Sequence, residues 1–441
     1  MVPCYLCCVC NSNFINLRME PFGIQIEDGS TTISKFVVEQ NTSSMQLYDW
    51  QIRAIKYFFK NNYKAIFEVT TGAGKTFCAI EIIKRLLQDK SDLQVLIVVP
   101  KNIILETGWY KELYDAGISL RDIGVYYGNV KEYAKITITN MQNINRIALD
   151  IFDMVIFDEI HNYGTKRLLP YIEYPFKYKI GLSATIERRD DKHWQIIRAF
   201  DYNVFKYSPK EALGDNVLNP FYFINIGVEM DDETYDRYLR ITEELNTIFQ
   251  VGGGFSKIMR TGSGLKYRML AKMNERKDLI NNYHRKFDMV KQIVEKHKEE
   301  KIIIFNEYNS QTNKSYWYLL DIGVKACIIH SGIENDRRQQ NITDFKNDKY
   351  NVVLTSKVLD EGYNLPKLDV AIIAAGNSTA KQTIQRMGRV LRKKNKPSLL
   401  YQIFCINTVE EEYALERAKI FRELCSRYDE MTYSIKGEKN E

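Results

Sequence analysis

The residues best placed to do chemistry begin at Thr71-Gly72-Ala73-Gly74-Lys75-Thr76. They follow the apolar run Ala65–Val69 and open a helical stretch that ends near Leu87. Strand, glycine-rich turn and helix in that order make a phosphate-binding loop. Gly72 and Gly74 let the backbone curl until its N–H groups point at phosphate oxygens, and the following helix adds the positive end of its dipole. Lys75 can reach β- and γ-phosphates, and the Thr76 hydroxyl can ligate Mg²⁺. The usual pattern has glycine six residues before the lysine, and Val69 stands there instead.

A second chemical group lies at Val155-Ile156-Phe157-Asp158-Glu159-Ile160-His161, an apolar strand ending in two acids. Burying two like charges without partners is costly, so such a pair has little structural use. Asp158 is expected to hold Mg²⁺, and Glu159 to orient and deprotonate an attacking water. A third group, Gln385 to Arg392, places Arg386, Arg389 and Arg392 three residues apart on one helical face. Guanidiniums so arranged repel one another unless an anion compensates them, and a γ-phosphate is such an anion.

Positioning these groups takes parallel sheets covered by helices, because apolar strands alternate with helical patterns twice along the chain. The spacing predicts strands at Ala65–Val69, Val95–Val99, Ile136–Thr139, Met154–Phe157 and Tyr178–Leu182. Helices Thr76–Gln88 and Ile103–Ala116 lie between them. In the second half it predicts strands at Lys301–Phe305, Ala326–Ile329, Asn351–Thr355, Val370–Ala374 and Leu399–Cys405. The stretch 208–288 has another texture, one strand (Phe221–Val228) and then amphipathic helical patterns broken by Gly252-Gly253-Gly254 and Gly262-Ser263-Gly264.

Residues 22–38 alternate in polarity around Asp28-Gly29, which predicts a β-hairpin. After Thr408 the pattern predicts one helix to about Tyr428 and then a frayed, charged end. The expected organisation is an N-terminal extension (1–45), a first α/β domain (46–207), a helical insert (208–288), a second α/β domain (289–408) and a C-terminal helix and tail (409–441).

Composition agrees with a large soluble enzyme of 441 residues, 45% hydrophobic and 27% charged. No apolar run approaches a membrane span, so no membrane is expected. The net charge of +6 permits a polyanionic partner without demanding one. Cys4, Cys7, Cys8 and Cys10 crowd into seven residues, which leaves no loop to wrap a metal. They are read as a disordered or mis-assigned start, with Met19 as the initiator. The scattered Cys78, Cys327, Cys405 and Cys425 suit a reducing cytoplasm, that of a host if the source is viral.

Six motifs spanning residues 46–408 resemble the helicases and translocases of superfamily 2. Tyr48-Asp49-Trp50-Gln51 is similar to the adenine-reading Q motif; the phosphate loop is motif I, and Asp158-Glu159-Ile160-His161 a DEAH-like motif II. Ser183-Ala184-Thr185 matches motif III, 355–366 motif V and 385–392 motif VI. The resemblance implies two RecA-like domains with ATP and Mg²⁺ between them. It assigns adenine to Gln51, nucleotide contacts to Thr71, Gly72, Ala73, Gly74, Gly362 and Asn364, and completion of the site to Gln385, Arg389 and Arg392. His161, Ser183 and Thr185 would couple hydrolysis to movement. Departures are Ile160 in place of alanine, Asn364 where an acid is common, and Gln385 rather than histidine at the start of motif VI. The last, with the run 181–191, resembles the DNA-acting branch that includes XPB, RadD and phage UvsW proteins. Likeness to UvsW implies branch migration and fork regression on branched or forked DNA.

A translocase grips the sugar-phosphate backbone, because it must pass over every sequence. Donors expected at the carboxyl ends of strands are Pro100, Lys101, Thr139 and Asn140 in the first half, and Asn306, Ser331, Gly332 and Thr355 in the second. The insert adds Lys257, Arg260, Lys266, Arg268, Lys272, Arg276 and Lys277, with Glu275 the one acid before Asp278, and predicts a duplex or junction contact. Protein partners are not indicated, and a monomer is expected without nucleotide. Two alternatives stay open: an RNA helicase or viral transcript-release factor, and a binding module switched by nucleotide without hydrolysis. Lys75→Ala or Glu159→Gln is expected to abolish DNA-stimulated ATP hydrolysis while leaving DNA binding largely intact; full turnover by either variant would refute the site.

Overall fold

The computed structural model describes residues 24–27, 30–33, 46–100, 108–188, 190–261, 264–356, 367–375, 394–434 and 439–440. Two eight-stranded, mainly parallel sheets organise them. The first contains β3 (Lys64–Val69), β4 (Val95–Val99), β5 (Ile123–Tyr127), β6 (Val130–Lys131), β7 (Ile136–Asn140), β8 (Met154–Phe157), β9 (Tyr178–Ser183) and β10 (Val204–Tyr207), in the order β10-β3-β9-β8-β4-β7-β5-β6. Before it, β1 (Ile24–Glu27) pairs antiparallel with β2 (Ser30–Ile33), the expected hairpin.

Every residue of β4 and of β8 is buried. A parallel strand covered on both faces has no polar side, so its sequence is a continuous apolar run. The carboxyl ends of β3, β8 and β9 therefore bring the phosphate loop, the acid pair and Ser183 to one edge. The sequence expectation missed β5, β6 and β10. The two-residue β6 and the half-exposed β10 lie at the sheet's edges and carry no such run. Trp50, 1% exposed, stacks on Tyr207 of β10 at 4.9 Å and 15°, which fastens the helix Asp49–Lys60 beside the loop.

The second sheet contains β11 (Phe221–Val228), β12 (Ile302–Phe305), β13 (Ala326–Ile329), β14 (Val352–Thr355), β15 (Val370–Ile373), β16 (Ser398–Cys405), β17 (Arg427–Tyr433) and β18 (Lys439–Asn440), in the order β13-β14-β12-β15-β16-β11-β17-β18. Two expectations are corrected here. Phe221–Val228 is not part of an insert: all eight residues pair with Ser398–Cys405 on one side, and seven with Arg427–Tyr433 on the other. The C-terminal stretch is not one helix and a frayed end, because the helix Val409–Leu424 stops and β17 follows.

The separate helical body is shorter than residues 208–288. Helices Asp232–Gly252, Phe255–Thr261 and Gly264–Asn281 pack around Ile241, Leu245, Ile248, Ile258 and Met269. Gly253 closes the first of them with φ of 69°, a left-handed cap that glycine adopts without strain. The next helix, His284–Lys296, buries Met289, Val290, Ile293 and Val294 in the core of the second sheet.

That helix is tied down by a buried ion pair. Lys286 donates to Glu410 at 2.7 Å with 2% and 4% of the side chains exposed, and the second Glu410 oxygen accepts from the Cys405 amide at 2.9 Å. Removing one member of such a pair leaves an uncompensated charge, whereas replacing both does not. Lys286→Met is expected to destabilise the second domain by about 3–5 kcal/mol. Adding Glu410→Gln should recover most of the loss, measured by denaturant unfolding.

Candidate nucleotide site and nucleic-acid edge

The phosphate loop is shaped by one backbone conformation and held by one side chain. Gly74, with φ of 92°, caps the helix Lys75–Asp89 in the left-handed region, which costs glycine little. Gln51, 2% exposed, spans the loop and the helix before it. Its Nε2 donates to the Gly74 carbonyl at 3.1 Å, and its Oε1 accepts from the Tyr48 amide at 2.9 Å. A side chain added at Gly74 would meet Gln51 Nε2 at 3.1 Å. The residue expected to read adenine is thus also the brace of the loop.

The loop and the acid pair meet through charge. Lys75 Nζ donates to Glu159 Oε1 at 2.9 Å, with 12% and 25% of the side chains exposed. Glu159 takes φ of 47°, a left-handed conformation rare for a residue with a side chain, where the chain turns sharply out of β8. Asp158 is buried. Its Oδ1 accepts from the Glu159 amide at 3.0 Å, and its Oδ2 from Trp109 Nε1 at 3.0 Å. Burial, and then the neighbouring Glu159 charge, push its carboxyl up to about 6, against the opposing pull of Lys75 and Trp109.

Motifs II and III also touch. His161 Nδ1 lies 2.9 Å from Ser183 Oγ and 3.4 Å from Glu159 Oε2. Ser183 Oγ donates to the Thr185 carbonyl, which fixes the turn after β9. Arg188, within the run 181–191, adds a clamp: it donates to the His161 carbonyl and forks onto Asp190 at 2.9 and 3.0 Å.

These oxygen donors suit Mg²⁺, a hard cation that needs few protein ligands when phosphates supply the rest. Thr76 opens the helix beside the loop, and Asp158 ends β8. The hydroxyls of Thr70 and Thr71 are buried in the loop without hydrogen-bond partners, which fits a loop built to face an acceptor. Among the described residues no group of three or more His, Cys, Asp or Glu could hold a metal alone. Gly362, Asn364, Gln385, Arg386, Arg389 and Arg392 lie outside the described residues, as do Lys101 and Cys4, Cys7, Cys8 and Cys10.

The expected nucleic-acid contacts divide. Ser331 and Gly332 are exposed at the end of β13, and Pro100 is half-buried after β4. Thr139, Asn140, Asn306 and Thr355 are buried to within 2% and face inward. Thr139 donates to the Tyr126 carbonyl at 2.8 Å, Asn140 Oδ1 accepts from the amides of Gln142 and Asn143 at 2.9 Å, and Thr355 donates to the Ser356 carbonyl at 3.1 Å. In this conformation Thr139, Asn140 and Thr355 make these contacts within the strand ends, whereas the buried Asn306 Nδ2 has no hydrogen-bond partner among the described residues.

In the helical body Lys257, Arg260 and Arg268 are exposed and Lys266 is half-exposed. Lys272 is used internally, paired with Glu244 and Glu275 at 3.0 Å, and Arg276 donates to Thr242 at 3.4 Å. Glu244 comes from a neighbouring helix, so the local sequence overstated the free positive charge. Tyr267 and Phe255, 72% and 48% exposed, stand among the basic residues. No helix among the described residues is long and apolar enough to cross a membrane.

Known proteins match this arrangement. The family model described as "Type III restriction enzyme, res subunit" covers residues 44–188, and "Helicase conserved C-terminal domain" covers 285–394. The chain is 27% identical over 388 residues to the DNA 3′-5′ translocase XPB2 of Sulfurisphaera tokodaii, covering 85% of this chain and 84% of that protein. It is 22% identical over 404 residues to the DNA 3′-5′ helicase XPB of Mycobacterium tuberculosis, covering 87% and 66%. The Hef helicase domain of Pyrococcus furiosus has the same fold, with a TM-score of 0.61 at 17% identity over 85% of this chain and 98% of that one.

Because Gln51 braces the loop, Gln51→Ala is expected to raise the KM for ATP about tenfold, the factor that corresponds to about 1.4 kcal/mol of lost binding. The same variant should weaken the thermal stabilisation that ATP gives. Unchanged nucleotide affinity would show that the brace is not needed.

Proposed function

We propose that this chain, a superfamily 2 DNA helicase that resembles XPB and hydrolyses ATP, moves 3′–5′ along DNA and remodels branched or forked duplexes by branch migration and fork regression. The observation that carries the chemistry is the ion pair between Lys75 and Glu159, which brings the phosphate loop and the acid pair into one site. The polarity rests on the names of the XPB relatives, and the branched substrate on the likeness to UvsW proteins.

In this reading the loop amides of residues 71–76 and Lys75 hold the phosphates, while Gln51 keeps the loop in shape and meets the adenine edge. Thr76 and Asp158 would hold Mg²⁺, which when bound would neutralise phosphate charge and fix phosphate orientation. As Lys75 turns to the phosphates, Glu159 is released to orient the attacking water and accept its proton. Gln385, Arg389 and Arg392, with Gly362 and Asn364, complete the site from the second domain. His161 and Ser183, already in contact, pass the state of the acid pair to β9. Lys101, with Ser331 and Gly332, then grips the DNA backbone, and Lys257, Arg260, Lys266 and Arg268 hold a duplex arm. Such a protein works in the cytoplasm, or in a host's cytoplasm.

The direct trial supplies ATP and compares synthetic three- and four-way DNA junctions, single-stranded DNA and RNA. Junctions are expected to stimulate hydrolysis most and to be converted to separated duplex products. Equal or stronger stimulation by RNA, or hydrolysis without junction conversion, would sink the reading.

A further inference from the structure

We infer that Trp109 is a positioning residue for the metal-binding carboxylate of Asp158. The inference rests on the assignment of Asp158 to Mg²⁺. Trp109 is 1% exposed, and its indole has a single N–H donor. Buried tryptophans ordinarily give that proton to whatever acceptor lies near. Here the acceptor is the Asp158 carboxylate, at 3.0 Å and across 49 residues of sequence.

The other carboxylate oxygen is held at 3.0 Å by the amide of Glu159. One donor on each oxygen fixes the rotation of the carboxylate plane, so the remaining lone pairs keep one direction. Neither donor alone does this, because a carboxylate held at one oxygen can swing about its χ2. The Glu159 amide is set by the backbone turn, which leaves the indole as the side chain whose loss would free the group. Partners that orient a metal ligand typically change metal affinity by about 10–100-fold when removed. Trp109 belongs to the buried apolar cluster of the first domain, so the ring itself is fixed.

Trp109→Phe keeps an aromatic ring in the core and removes the donor together with part of the indole, and the measurement in EDTA reads out any loss that comes from packing. Binding of a fluorescent ATP analogue is titrated with MgCl₂ and, separately, measured in EDTA. The expected result is a rise in the Mg²⁺ half-saturation of about 10–100-fold, with the affinity in EDTA unchanged. An unaltered Mg²⁺ titration, or an equal loss of binding in EDTA, would overturn the positioning role. Labelling the indole nitrogens of the four tryptophans in the wild-type chain gives a check that needs no variant. The Trp109 N–H resonance should shift when Mg²⁺ is added to the ATP-bound protein, and a resonance that stays in place contradicts the inference. Asp158→Asn separates the two failures: if it keeps the wild-type Mg²⁺ dependence, the metal assignment is wrong. If it loses that dependence while Trp109→Phe does not, only the role of Trp109 falls.

Discussion

A carboxylate buried at the end of β8 is the constraint on which the rest of the site depends. Left alone, Asp158 would be neutral or would unfold its surroundings, since an isolated buried charge is far too costly. The protein offsets that cost by bringing three donors or charges to one strand end, each of which favours the ionised carboxylate. The Glu159 amide comes from the turn, the Trp109 indole from the helical segment before Tyr110–Asp115, and Lys75 from the phosphate loop. Each partner is delivered by a different element, so the parallel sheet and its crossovers serve as the frame that makes the charge tolerable.

The same economy explains why the loop and the acid pair are found together. Lys75 and Glu159 satisfy each other at 2.9 Å. Both are groups that a triphosphate and its attacking water would engage, so the contact stabilises the site and must break for chemistry. Burial of the participants is partial, so the exchange is within reach of one bound ligand. The link from His161 to Ser183 lies directly beside it, and a change in Glu159 has a short route to β9.

Much of this was legible in sequence because the chemistry sits where apolar runs end. Strands β8 and β9 are buried throughout and β3 is buried for most of its length, so they read as largely apolar segments, and the residues after them stand out by contrast. Long-range pairing was not legible. Trp109 lies 49 residues from its carboxylate and Lys286 lies 124 residues from Glu410, and no local spacing marks either. Strand β17 has no fully buried residue and no apolar run, so its place beside β11 rests on backbone pairing and on Tyr428, whose ring lies 5.6 Å from that of Phe223. Strand β11 is hidden for a related reason: a helical body separates it in sequence from the rest of its sheet. Thr139, Asn140 and Thr355 are polar at the ends of apolar strands, and the local sequence does not show that neighbouring backbone groups meet that polarity in this conformation.

The central claim is that the ion pair between loop and acid is a resting contact that a nucleotide replaces. A crystal structure with a non-hydrolysable ATP analogue and Mg²⁺ tests it most directly. The account predicts Lys75 Nζ on phosphate oxygens and no longer on Glu159, with Mg²⁺ between Thr76 and Asp158. A nucleotide bound elsewhere, with the Lys75–Glu159 contact still at 2.9 Å, would contradict it.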